Sequence, residues 1–228
     1  MKAPDYTARW RDRGYVDRYI RFTRPVRFDG AKWAEKLCVG SNDTVVDLGC
    51  GDGKLLLALA PYIRRGIGID VSAPAIEYAQ RNLADSGAEN AEFIECDFRE
   101  LALPVGSINA AVSLAALHHV SDDEKLAVLR SVAEALVAGG LFQLEDDTFN
   151  FAPDAFETMA PAMYRQFEER FGSKAWAFMR DELAGEDFEF TPYLESLLSM
   201  IRAAGLDVIS VSELGLNGAV IRARKPSV

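Results

Sequence analysis

Apolar and polar positions in this chain fall into short blocks that alternate between two periods. Val45-Val46-Asp47-Leu48 is an apolar, strand-like run that reaches an acid and passes into the glycine loop Gly49-Cys50-Gly51-Asp52-Gly53. A further apolar run, Leu55 to Ala60, reads as a helix behind that loop. Strand-like runs recur at Gly66 to Asp70, Ala91 to Glu95, Ile108 to Ser113 and Leu141 to Asp146. Helices are expected between them. Ser72 caps one that has Pro74 in its first turn and runs to about Ala84. Ser121-Asp122-Asp123-Glu124 is a capping-box sequence opening another, to about Val137, which Gly139-Gly140 would stop. Thr191-Pro192 opens a third, ended at Gly205. Asp207 to Glu213 and Ala219 to Ala223 flank a Gly215-Leu216-Asn217-Gly218 turn and read as a hairpin. Strand-helix alternation predicts an α/β fold, a largely parallel sheet with helices on both faces.

Two pieces fall outside this core of residues 37–147 and 191–228: an N-terminal segment, 1–36, and an insertion, 148–190. In the insertion, Phe156, Met159, Met163, Phe167 and Phe171 recur at helical spacing, with a kink expected at Pro161 and a stop at Gly172. Trp176, Met179 and Leu183 form a second stripe ended by Gly185. Seventeen of the 23 aromatic residues lie in these two pieces, so they are expected to form a helical cap. Part of that aromatic content must build the cap's own core. The rest is expected to line an apolar substrate pocket, because ligands of open α/β sheets sit beyond the C-terminal strand ends.

The glycine loop carries the chemistry. Its spacing is G-x-G-x-G, which lets the backbone turn sharply and approach a ligand closely. Asp70 ends the second strand about twenty residues on, where an acid accepts both ribose hydroxyls of a nucleotide. On Asp47-Leu48-Gly49-Cys50-Gly51-Asp52-Gly53 and the elements that follow in order, the chain resembles the class I S-adenosylmethionine-dependent methyltransferases, in their small-molecule, type 11-like branch. The resemblance covers roughly residues 45–140. It implies a Rossmann-like, doubly wound, seven-stranded and mostly parallel sheet with an antiparallel last strand. It also implies S-adenosyl-L-methionine as cofactor, held around Asp47, Gly49, Cys50, Gly51, Asp70, Val71, Asp97, Phe98, Ser113 and Leu114. Asp97 would accept from the adenine amino group, Phe98 would pack on the ring, and Asp47 would orient the loop and the cofactor's ammonium.

Methyl transfer from a sulfonium is an in-line displacement whose leaving group becomes neutral, so alignment in a dry site is the main requirement. A base is needed only for a nucleophile that must lose a proton. His118 and His119, the only histidines, follow the fourth strand and are the candidate base. The chain lacks a Pro-Cys nucleophile, an Asn/Asp-Pro-Pro-Tyr cluster and a Tyr-x-x-x-Lys pair, and Gly53-Lys54 has no Ser or Thr after it as a P-loop would.

Charge modifies this picture. The net charge of −10 argues against non-specific nucleic-acid binding, yet residues 1–36 hold ten Lys and Arg against five Asp and Glu. That leaves open an RNA or protein acceptor recruited by a basic arm, or simply a solvated helix face. A non-catalytic S-adenosylmethionine-binding protein is the other alternative. At 228 residues one domain is expected. Cys38, Cys50 and Cys96 lack metal-type spacing, so no metal is expected. No run approaches a membrane span, and residues 1–5 show no signal-peptide pattern, so a cytoplasmic location is expected.

Overall fold

The computed structural model describes residues 8–183 and 190–227. Seven strands form one sheet in the order β3-β2-β1-β4-β5-β7-β6. They are β1 (Thr44–Leu48), β2 (Arg65–Asp70), β3 (Ala91–Glu95), β4 (Ile108–Leu114), β5 (Leu136–Phe149), β6 (Asp207–Glu213) and β7 (Asn217–Arg224). β1 to β5 pair in parallel, whereas β7 runs antiparallel to both β5 and β6. The order reverses at β1, whose neighbours are β2 and β4, and the crevice at such a switch point is where open α/β sheets hold ligands.

Both faces are covered, as the continuous burial of β1 requires. On one face α3 (Gly30–Leu37), α4 (Lys54–Leu59) and α5 (Ala73–Ser86) supply Trp33, Leu37, Leu56, Leu59, Ile76 and Ala79 to a core with Val45, Ala110 and Val112. On the other, α6 (Asp122–Ala135) and α8 (Leu194–Ala203) pack Val128, Leu129, Val132, Leu197 and Ile201 against Val46, Leu48 and Phe142. The N-terminal segment therefore divides. α3 belongs to the core, and only α1 (Ala8–Arg11) and α2 (Arg13–Thr23) stand over the strand ends.

Three expectations need correction. The capping box of α6 forms, but the helix ends at Ala135, and Gly139-Gly140 lies inside β5. Leu136 already pairs with Ile108, and a register shift follows before Ala110 pairs with Leu141. A Cβ on Gly140 would stand 2.9 Å from the Val137 carbonyl oxygen and 3.0 Å from that of Asn109, so glycine here permits a bulge. Next, α8 starts at Leu194 because Pro192 runs beside the end of β5, its carbonyl accepting the Phe149 N–H at 2.9 Å. Finally, Pro161 sits in helical backbone within α7 (Phe156–Leu183). The break is at Gly172, with φ 80° and ψ 161°. The side chains of Phe171, Trp176, Met179 and Leu183, and Gly185 itself, lie outside the described residues.

Candidate active site

The loop after β1 is held from beneath by β2. The Gly49 and Cys50 N–H groups donate to the Ile69 carbonyl at 2.8 and 3.0 Å, and the Gly51 N–H donates to Asp70 Oδ2 at 2.9 Å. Asp70 Oδ1 accepts the Ser72 N–H at 2.9 Å, while the Ser72 hydroxyl caps α5. Asp70 is thus fixed by the backbone it organises, with lone pairs left for hydroxyl donors. Burial pushes its carboxyl up, and the Ser72 and Gly51 hydrogen bonds oppose that. Gly51 has φ +53°, and no atom lies within 4 Å of where its Cβ would be, so the loop presents bare backbone to open space.

Asp47 lies one step deeper at the end of β1. It is 3 % exposed, and its Oδ1 has no hydrogen-bond partner. Burial first, and the charge of Asp70 second, push this carboxyl up to about 8. An orphaned buried carboxylate oxygen is costly unless a donor arrives. A cationic amine is such a donor, so the residues present fit the ammonium end of S-adenosylmethionine, with Asp70 at the ribose. Cys50 is buried in the core, so its contribution is its backbone.

The cleft extends as two adjoining cavities. One, about 80 Å³, is lined by Gly51, Asp70, Val71, Asp97, Phe98 and Leu114 on the sheet side. Its roof is Trp10, Val16, Tyr19 and Ile20 of α1 and α2; Trp10 and Tyr19 were among the expected cap aromatics, whereas Val16 and Ile20 carried no such signal. The other, about 190 Å³, is bounded by Asp47, Gly49 and Leu114 and shares Tyr19 and Ile20. Ser113, fully buried in β4, lines neither cavity. Asp97 reaches the cleft but is occupied. Arg99 donates to both of its oxygens, at 2.9 Å from Nε and 2.5 Å from Nη2, and also reaches Glu124. Burial raises the Asp97 carboxyl, and the Arg99 bonds outweigh it, leaving it below the usual range. An adenine amino group would have to share Asp97 with Arg99.

The two histidines part company. After β4 the chain turns at Ala115, in the left-handed region at φ 50°. His118 is buried, with Nδ1 2.5 Å from Asp146 Oδ1 and its backbone N–H donating to Asp146 Oδ2 at 3.1 Å. His119 lines the cleft, its ring 4.0 Å from that of His118 and 5.2 Å from Trp10. Asp146 was legible as the acid ending the expected fifth strand, Leu141 to Asp146, although β5 continues through Asp147 to Phe149. Lys125 was not legible. Fully buried, it donates to the Val120 carbonyl at 2.6 Å and to that of Phe190, tying the histidine loop to the end of the insertion.

The described part of the insertion lies elsewhere. Gln166 accepts the Leu216 N–H at 2.9 Å, and Arg170 donates to the Leu214 carbonyl, so α7 braces the β6–β7 turn. Phe149, Phe151, Phe156 and Tyr193 form an aromatic cluster of their own. Among the described residues, none of the insertion lines either of the two adjoining cavities.

This fold and site define an α/β domain whose glycine loop and strand-end acids meet in a cleft at the sheet's switch point, where such folds hold nucleotide cofactors. Residues 45–140 match the family described as a methyltransferase domain. The domain belongs to the class I S-adenosylmethionine-dependent methyltransferases, and S-adenosylmethionine is its cofactor. The uncharacterized methyltransferase YcgJ of Bacillus subtilis is 34 % identical over 110 residues, 48 % of this chain and 42 % of that protein. A ubiquinone biosynthesis O-methyltransferase of Albidiferax ferrireducens is 28 % identical over 156 residues, 68 % of this chain and 59 % of that protein. The chain thus spans about half the length of these relatives. The crystal structure of YcgJ superposes with a TM-score of 0.67 at 18 % identity, over 87 % of this chain and 98 % of that one. The [4+2]-cyclase SpnF gives 0.67 at 17 % identity, over 87 % and 80 %, a likeness of fold alone.

Proposed function

We propose that this protein transfers the methyl group of S-adenosylmethionine to a small organic molecule. The observation that carries this reading is the roof of the cleft. Trp10, Val16, Tyr19 and Ile20 close an apolar wall over Asp70 and His119, which suits a small, largely apolar acceptor. α1 and α2 act as the cap. The described residues of 148–190, proposed from sequence as a second cap, brace the β6–β7 hairpin and, at Phe190, meet the Lys125 ammonium beside the histidine loop.

S-adenosylmethionine supplies an activated methyl carbon when bound. The chain's own residues align and dry the site. Asp70 fixes the loop and accepts the ribose hydroxyls, Asp47 accepts the ammonium, and Val71, Phe98 and Leu114 flank the base. His119 holds the acceptor's proton where that acceptor is a hydroxyl. His118, locked to Asp146, positions it. Three cysteines without a disulfide fit a reducing compartment, the cytoplasm. No helix among the described residues is long and apolar enough to cross a membrane.

Methyl-labelled S-adenosylmethionine offered with a panel of small hydroxyl, amine and thiol compounds, and separately with tRNA and unfolded protein, tests the reading. Label should appear in a small organic product. Label confined to RNA or protein would overturn it.

A further inference from the structure

A further cavity, about 660 Å³, opens between the C-terminal half of α2, the loop behind it, and helices α4 and α5. Four cations border it: Arg21, Arg24, Arg27 and Lys54. The two acids that share it are committed. Asp17 accepts the Tyr78 hydroxyl at 3.0 Å, and Asp52 pairs with Lys54 Nζ at 2.7 Å. Arg27 folds back onto the carbonyls of Arg24 and Val26. Arg21 and Arg24, one helical turn apart, make no ion pair or side-chain hydrogen bond among the described residues.

Cations on a convex helix face are normally just solvated. Here they line a concavity in a chain of net charge −10, most of whose acids lie beyond residue 36. The cavity also shares Ile20, Val26, Phe28, Asp52 and Lys54 with the one bounded by Asp47, so a single ligand can extend from one into the other. Paired guanidinium forks match the oxygens of a phosphate.

We propose that this cleft binds the phosphate group of a phosphorylated methyl acceptor, whose apolar part reaches the cofactor cleft. The proposal rests on the small-molecule reading above. A bounded cavity flanked by acids favours a compact phosphate over an extended polyanion.

Inorganic pyrophosphate is the probe, titrated calorimetrically into the full chain saturated with S-adenosylhomocysteine, at low salt. Saturable one-to-one binding is expected in the wild type and at least tenfold weaker binding in Arg21→Ala/Arg24→Ala. Arg24→Lys should bind more weakly than wild type but more tightly than the double variant, since it keeps the charge and loses the fork. Affinity for S-adenosylhomocysteine should be the same in all three, showing that each is folded. The proposal is overturned if pyrophosphate does not bind the wild type saturably, or binds the double variant equally. It is also overturned if a single-stranded RNA oligomer binds through these arginines and pyrophosphate does not displace it. Pyrophosphate binding as expected, with methyl label found only in a macromolecule, would keep the phosphate cleft and remove the small-molecule reading.

Discussion

Asp70 Oδ2 accepts the backbone N–H of Gly51 at 2.9 Å, so the acid ending the second strand holds the glycine loop that follows the first. The glycine loop and the strand-end acid, nineteen residues apart, are one hydrogen-bonded unit. An exchange at Asp70 therefore disturbs the loop as well as the ribose contact proposed for it.

Asp47 should make cofactor binding release a proton. In the folded chain this carboxyl keeps its proton to about 8, whereas an unfolded aspartate ionises near 3.8. Between those values the native state binds more protons than the unfolded one, so this group makes stability fall as pH rises, by at most ~1.4 kcal/mol per pH unit. A cation at Oδ1 favours the carboxylate. Calorimetry with S-adenosylhomocysteine near pH 6.5, in buffers of different ionisation enthalpy, should show proton release in the wild type and none in Asp47→Asn. A buffer-independent enthalpy in the wild type would remove Asp47 from the ammonium site.

The histidines should separate by kinetics. His119→Ala should lose about 10²–10⁴ in turnover on a hydroxyl acceptor while cofactor affinity holds. Wild-type activity should fall toward acid pH as the base is protonated, and the residual activity of the variant should lack that limb. Asp146→Asn should cost less and keep the acid limb, since Asp146 acts through His118. Equal turnover and pH profile in wild type and His119→Ala would leave catalysis to alignment alone.

Residues 8–23 should tighten over the cofactor. They roof the cleft, and α2 is tied to α5 by Arg13–Glu77 and Tyr78–Asp17, contacts at or near the surface that open readily. Hydrogen exchange with and without S-adenosylhomocysteine should show new protection in 8–23 and little change in 156–170. Identical protection of 8–23 in both states would make the roof a static layer.

The sheet was legible because backbone requirements write themselves into sequence. Apolar runs ending in Asp47, Asp70 and Asp146, with glycine where φ must be positive, mark strands and their loops. Side-chain direction was not legible. Which histidine faces the cleft depends on the turn at Ala115 and on Asp146, 28 residues from His118. Lys125 reaching Phe190, 65 residues away, is likewise a tertiary event without a local signature, whereas Arg99 closes on Asp97 from only two residues away. The end of α6 was misplaced because Gly139-Gly140 suits a bulge as well as a helix stop. Of the described insertion rings, Phe149, Phe151 and Phe156 pack on one another, while Phe149, Tyr164 and Phe167 line a separate small cavity of about 20 Å³.

The central claim is that the Asp47–Gly51–Asp70 unit is an S-adenosylmethionine site. Titration of S-adenosylhomocysteine into wild type and Asp70→Ala, each shown folded by circular dichroism, tests it most directly. Saturable binding is expected in the wild type. The variant should bind at least tenfold more weakly, since each lost charge-assisted hydrogen bond is worth about 1.5–3 kcal/mol. Equal affinity in a folded Asp70→Ala protein would contradict the account.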